Sequence, residues 1–113
     1  MAITFINAAS QAAAGSGTSS TANATLNVAA GDILVGWHSW EDGAGGTIGI
    51  SDGVSNVLTA TDVQSDTHSY AEFFYSLNAT ANASASFVFT NSTARAYRTS
   101  YILQFRPDSA GGT

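Results

Sequence analysis

Apolar residues in this chain recur with a period of two, in short stretches separated by turn-forming residues. Phe87 and Phe89 share one face with Ala85, opposite Ser86, Val88 and Thr90, which is the alternation of a half-buried strand. Tyr97, Tyr101, Leu103 and Phe105 share a second such face, and both faces are expected to form the core. The run Ile33-Leu34-Val35-Gly36-Trp37-His38-Ser39-Trp40 begins apolar on both sides, as a central strand covered by its neighbours does. Gly36 within it marks a bulge or a close approach by a neighbouring backbone.

Eight strands are expected: Ile3 to Asn7, Thr21 to Val28, Ile33 to Trp40, Thr47 to Ser51, Asn56 to Thr61, Ser69 to Leu77, Ala83 to Thr90 and Ala96 to Phe105. Their spacing is that of an all-β sandwich or barrel. The Ala-rich patch Ala8 to Ala14 ends in Gly15-Ser16-Gly17 and is expected to be a loop or one short turn of helix. Turn chemistry separates the strands at Ala30-Gly31-Asp32, Asp42 to Gly46, Ser51-Asp52-Gly53 and Asn78 to Asn82. Pro107 stops the last strand, and residues 108–113 read as a flexible tail. The expected fold is all-β, a two-sheet antiparallel sandwich of jelly-roll or immunoglobulin-like topology. It forms one domain over residues 1–107, with residues 1–20 a candidate arm or loop.

Composition shapes the surface and narrows the partners. Only 10% of the 113 residues are charged, against about 25% in a typical globular protein, so the exterior must be built from Ser, Thr, Asn, Ala and Gly. There is no Lys, and Arg95, Arg98 and Arg106 face eight acids for a net charge of -5. Such a surface repels a phosphate backbone, and no nucleic acid is expected as partner. The lack of Cys removes disulfides and thiolate chemistry. Met1-Ala2-Ile3-Thr4-Phe5-Ile6 shows no basic stretch leading into a long apolar run, so no signal peptide is visible; either the protein is used without such export, as virion components are, or Met1 stands in place of a processed leader. No apolar run approaches the roughly 20 residues of a membrane span, and no membrane partner is expected.

The segments "AAGDILVGWHSW", "ISDGVSNVLTATD", "AEFFYSLNATANASASFVFT" and "YRTSYILQF" resemble a type of β-sandwich domain found in phage structural (decoration or tail) proteins and bacterial surface proteins. In that type a Gly-Asp turn opens a buried strand, a Ser-Asp-Gly turn precedes an Asn-containing strand, and a Tyr-rich strand leads into an Asn-Ala hairpin. The resemblance spans Ala29 to Phe105 and implies a non-enzymatic structural or binding domain, which is expected to stand alone here rather than among several.

Among chemistry-bearing clusters, Trp37-His38-Ser39-Trp40-Glu41-Asp42 joins two indoles, an imidazole and two carboxylates at a strand end. Period two puts Trp37 and Trp40 on opposite faces. Trp37 is expected in the core, with Trp40, Glu41 and Asp42 as the candidate ligand platform or interface. Tyr70 and Phe74 share a face with Glu72, opposite Phe73 and Tyr75, and are further interface candidates; aromatics on both faces imply cover by more than one layer. His38 and His68 show no zinc-ligand spacing. The acids Asp32, Glu41, Asp42, Asp52, Asp62 and Asp66 match no EF-hand loop and are read as turn caps, so neither metal nor cofactor is expected. No Gly-x-Ser-x-Gly elbow occurs, a Glu41/Glu72 carboxylate pair is arbitrary among eight acids, and Gly43 to Gly46 lacks the Lys and helix of a phosphate loop. Sequons at Asn23, Asn78, Asn82 and Asn91 are what chance gives in so Asn- and Thr-rich a chain.

The expectation is therefore a structural protein of a virion or surface assembly, in the form of a capsid decoration (cement) protein acting by oligomeric docking. Its expected partners are copies of itself, a trimer favoured, and a capsid or surface lattice protein. The alternative is an extracellular or cell-surface carbohydrate-binding module or adhesin domain that uses Trp40 with Glu41 and Asp42. A third reading, a subunit completed by a donated strand, requires a missing strand.

Overall fold

The computed structural model describes residues 2–13, 15–41 and 48–108, and within them it contains strands and turns without a helix. The strands are β1 (Ile3–Ala13), β2 (Gly17–Thr21), β3 (Leu26–Val28), β4 (Ile33–Glu41), β5 (Ile48–Ser51), β6 (Thr59–Ala60), β7 (Gln64–Ser65), β8 (Ser69–Ser76), β9 (Asn82–Ala85) and β10 (Val88–Pro107). All pairings are antiparallel. The expected all-β sandwich is the observed architecture.

β10 organises the molecule because its two halves serve different layers. Val88 to Asn91 lies between β2 and β5, whereas Thr99 to Phe105 lies between β1 and β4. The register shifts between Thr90 and Arg95 and again between Ala96 and Thr99. Tyr97 sits in this bend at φ 47°, a left-handed conformation that costs a side-chain-bearing residue about 1–2 kcal/mol. One eight-stranded sheet thus folds back on itself, with a main layer in the order β1-β10-β4-β8-β6 and β3 paired to β9 alongside.

Leu26, Leu34, Ile50, Phe74, Phe87, Phe89 and Ile102 fill the space between the layers. Each such side chain contributes about 1.5–3 kcal/mol by leaving water. Gly36 has no side chain because there is no room for one: a Cβ there would lie 2.5 Å from Ile50 Cδ1 and 3.3 Å from Leu58 Cδ2. The close approach expected at Gly36 is therefore made by core side chains rather than by a neighbouring backbone.

Several expectations are corrected. Ala8 to Ala13 is neither loop nor helical turn but the second half of β1, paired to Arg98 through Leu103; small side chains are compatible with a strand when a long partner supplies the ladder. The single strand expected over Thr21 to Val28 is two, β2 and β3, with Ala22 and Asn23 bonded to Phe87 and Ser10 between them. A strand at Gln64–Ser65 was not expected. The strand expected over Ala83 to Thr90 is broken after Ala85, and its second part runs on through the region expected as a separate strand to form β10, so the described strands number ten rather than eight. The face of Tyr97, Tyr101, Leu103 and Phe105 is not the core: Arg98, Ser100, Ile102 and Gln104 are the buried set. Thr47 and residues 109–113 lie outside the described residues.

Candidate functional site

The inward face of the main layer accepts polar groups because other strands supply their partners. His38 is fully buried; its Nε2–H donates to Asn91 Oδ1 at 2.7 Å, and its Nδ1 accepts from the Ser100 hydroxyl at 2.6 Å. The ring also stacks between Trp40 and Phe89. Burial pushes its pKa down, and the positive charge of Arg98 adds to this against the opposing Asn91 bond, so the imidazole is neutral. Glu72, opposite His38 on β8, has its pKa raised by burial and by the charge of Asp62. Asp32 receives Arg106 through Nε at 2.7 Å and Nη2 at 2.9 Å, Gln104 Nε2 at 2.6 Å and the Ala29 N–H at 2.8 Å. Burial alone would raise its pKa, but these donors outweigh it and hold the carboxyl low. Arg98 donates to the Ser19 carbonyl at 2.6 Å and lies against Gly17, which ties β2 to the second half of β10.

With that polar set turned inward, alternation sends the aromatic set outward. The registers place Trp37 between Phe73 of β8 and Tyr101 of β10. Cross-strand side chains stand roughly perpendicular to a sheet at ~4.8 Å spacing, so their rings stack. Trp37 and Tyr101 have centroids 5.5 Å apart at 9°, and Trp37 and Phe73 are 6.4 Å apart at 25°. Both π-faces of Trp37 are therefore occupied, and the ladder presents ring edges outward. The next rows carry Tyr75, Val35, Leu103 and Ala8, then Ile33, Phe105 and Phe5, with Phe5 and Phe105 in edge contact at 5.7 Å. In the other direction along the strands lie Ala71, Ser39, Thr99 and Ala12. No outward position in these rows is charged, and Phe5, Phe73, Tyr75 and Tyr101 remain substantially exposed.

The edges of this layer are partly closed, unlike its face. On β1, Ser10 exchanges its N–H and C=O with the Asn23 side-chain oxygen and backbone N–H, and the Ala8 N–H is taken by Asn7 Oδ1. On β8, Thr61 bonds the Phe73 carbonyl through both N–H and hydroxyl. Side chains and short strands thus occupy groups that would otherwise template another chain. At the β7 corner an open depression is lined by Trp37, Ser39, Gln64, Asp66, Ser69 and Tyr70.

The residues expected to act together are dispersed. Trp40 is 2% exposed and Phe74 1%, and Trp40 stacks on Tyr70 inside the layer. Glu41 is exposed on the opposite, outward side, and Asp42 lies outside the described residues. The expected placement of the two indoles is thereby reversed: Trp37 faces out and Trp40 in, because the even positions of β4 carry His38, whose partners are all interior. The same parity puts Glu41 and Glu72 on opposite faces. Asn91 is buried on His38, and Asn82 donates to Asp52 at 2.9 Å, so these two sequons serve the fold. Among the described residues no cluster of three metal-ligating side chains occurs. The residues that sequence reasoning missed are Phe73, Trp37 and Tyr101; the signal for them was the shared odd parity of aromatics in three strands. No known family model matches the chain, and no curated protein or solved structure is significantly similar to it.

Proposed function

We propose that this chain is a non-enzymatic structural protein of a virion or surface assembly, in the manner of a capsid decoration subunit, and that it docks through the outward face of its main layer. The observation that carries this reading is the Phe73–Trp37–Tyr101 ladder, exposed among four successive rows that carry no charged outward side chain. Exposed contiguous apolar area of this kind marks interaction sites, and aromatic anchors supply most of the energy where partners meet. The blocked groups on β1 and β8 favour face packing over strand donation. The burial of Ser100 and His38 favours a structural use of their hydrogen bond over a nucleophilic one. Light scattering across a wide concentration range, together with co-sedimentation with assembled particles from the protein's source, tests the proposal. Self-association or particle binding is expected, and a protein that stays monomeric and sediments with no particle overturns it.

The depression at the β7 corner favours a second reading, a glycan-binding module. Trp40 cannot serve it from inside the layer, but Gln64, Asp66, Ser69 and Ser39 offer hydroxyl, amide and carboxylate groups beside the Trp37 edge. Glycan-array binding that disappears in Gln64→Ala is the outcome expected of that reading, and a blank array removes it.

A further inference from the structure

We infer that the partner seated on the outward face is a second copy of this chain, the two main layers packed face to face about a two-fold axis. This rests on the docking reading above and adds to it the identity of the occupant.

Size is the first argument. Phe5 is 56% exposed, Phe73 53%, Tyr101 42% and Tyr75 39%. At ~150–250 Å² per aromatic side chain, these four rings alone leave on the order of 300–500 Å² in water. Ile3, exposed beside Phe5 at the end of β1 and paired with Pro107, adds to it, which brings the face toward the ~800 Å² per partner of a standard interface.

Charge is the second argument. The chain carries -5 overall, so two copies repel over most of their surfaces. Across the four rows from Phe5 to Ala71 every outward position is neutral, with Glu41 standing one row beyond Ser39 and Asp66 beside the depression, and like faces can meet over those rows without opposing charges.

Shape is the third. One end of the face carries bulky rows, Phe5, Phe105 and Ile33, then Leu103, Val35 and Tyr75, while the other end carries Ala12, Thr99, Ser39 and Ala71 beside the depression. A two-fold axis lying in the interface and perpendicular to the strands lays the bulky end of each copy over the small-residue end of the other. Strands of the two layers then run nearly aligned, as in sandwich packing. Such an isologous contact is closed and does not propagate into a fibre.

The test is the mass of the full chain by sedimentation equilibrium. The wild type is expected at twice the chain mass, and Phe73→Glu or Tyr101→Arg at one chain mass, with an apparent dissociation constant raised at least ~100-fold. Both positions are half exposed, so folding is checked by an unchanged circular dichroism spectrum. Val54→Arg, equally apolar and 83% exposed but in the β5–β6 loop, is expected to remain dimeric. A dimer indifferent to both face substitutions overturns the proposal. A trimer or larger ring overturns the two-fold pair while leaving the assembly reading intact, as does a monomer that co-sediments with particles. A monomer without particle binding overturns both.

Discussion

The Asp52 carboxylate accepts hydrogen bonds from the backbone N–H groups of Val54, Ser55 and Asn56 at 2.8–3.0 Å. It also accepts from the side-chain amides of Asn56 and Asn82. Asn56 in turn bridges to Thr80 through both its amide and its carbonyl oxygen. A turn that Gly53 permits by its φ of 71° thereby becomes a brace between the β5–β6 loop and the start of β9. Burial alone would raise the Asp52 pKa, but the donors outweigh it and hold the carboxyl far below the usual carboxylate range. Asp52→Ala is expected to lower stability by about 2–4 kcal/mol, since it leaves the buried Asn56 donors and three part-buried ones without an acceptor. Asp52→Asn, which keeps one carbonyl oxygen, is expected to cost less. Urea denaturation of the two variants measures the difference, and equal, negligible losses would count against the brace. The Ser51-Asp52-Gly53 turn was legible in the sequence, but Asn82, thirty residues further on, was not, because nothing local distinguishes it from other Asn residues in a polar loop.

At the scale of elements, Gly36 fixes how closely β5 approaches β4. Its Cβ-free position takes Ile50 Cδ1, and Ile50 is itself enclosed by the core, so the methyl has nowhere to rotate. Gly36→Ala is expected to cost about 1–3 kcal/mol by overpacking. Gly15→Ala, where nothing lies within 4 Å, is expected to change little. Thermal denaturation compares the two, and a silent Gly36→Ala would mean that the layers slide apart without penalty. β4 and β8 were readable because periodicity identifies a strand and its two faces, and the alternation of Ala85, Phe87 and Phe89 gave the buried side although it runs across the break between β9 and β10. Periodicity does not say which face is inside. For β10 the aromatic face looked like the core, yet Ser100 and Gln104 are inside because His38 and Asp32, more than sixty residues earlier, meet them. The same long-range pairing turned Trp37 outward and concealed the candidate face.

Across the whole molecule, His38 joins the layers: Asn91 lies on the β5 side of the β10 bend and Ser100 on the β4 side, and the imidazole bonds both. Its pKa is lowered from 6.5 by burial. The unfolded chain therefore takes up a proton at higher pH than the fold does. Stability from this group is complete above about pH 6.5 and is lost as pH falls from there toward the lower folded value, with a slope of at most about 1.4 kcal/mol per pH unit. Glu72 acts in the opposite sense. Its folded pKa is raised above 4.5, so its contribution favours the fold on the acid side and offsets part of the His38 loss there. Asp32 and Asp52, both lowered from 3.8, withdraw their support only below that value. Unfolding free energy measured by urea titration is accordingly expected to decline from about pH 6.5 downward, before either aspartate titrates. His38→Phe, which preserves the stacked ring between Trp40 and Phe89, is expected to be less stable at neutral pH because Asn91 and Ser100 lose their partner. Its profile should nevertheless be flatter between pH 6.5 and 4.5. A variant that keeps the wild-type slope would show that the acid sensitivity arises at a group other than this imidazole.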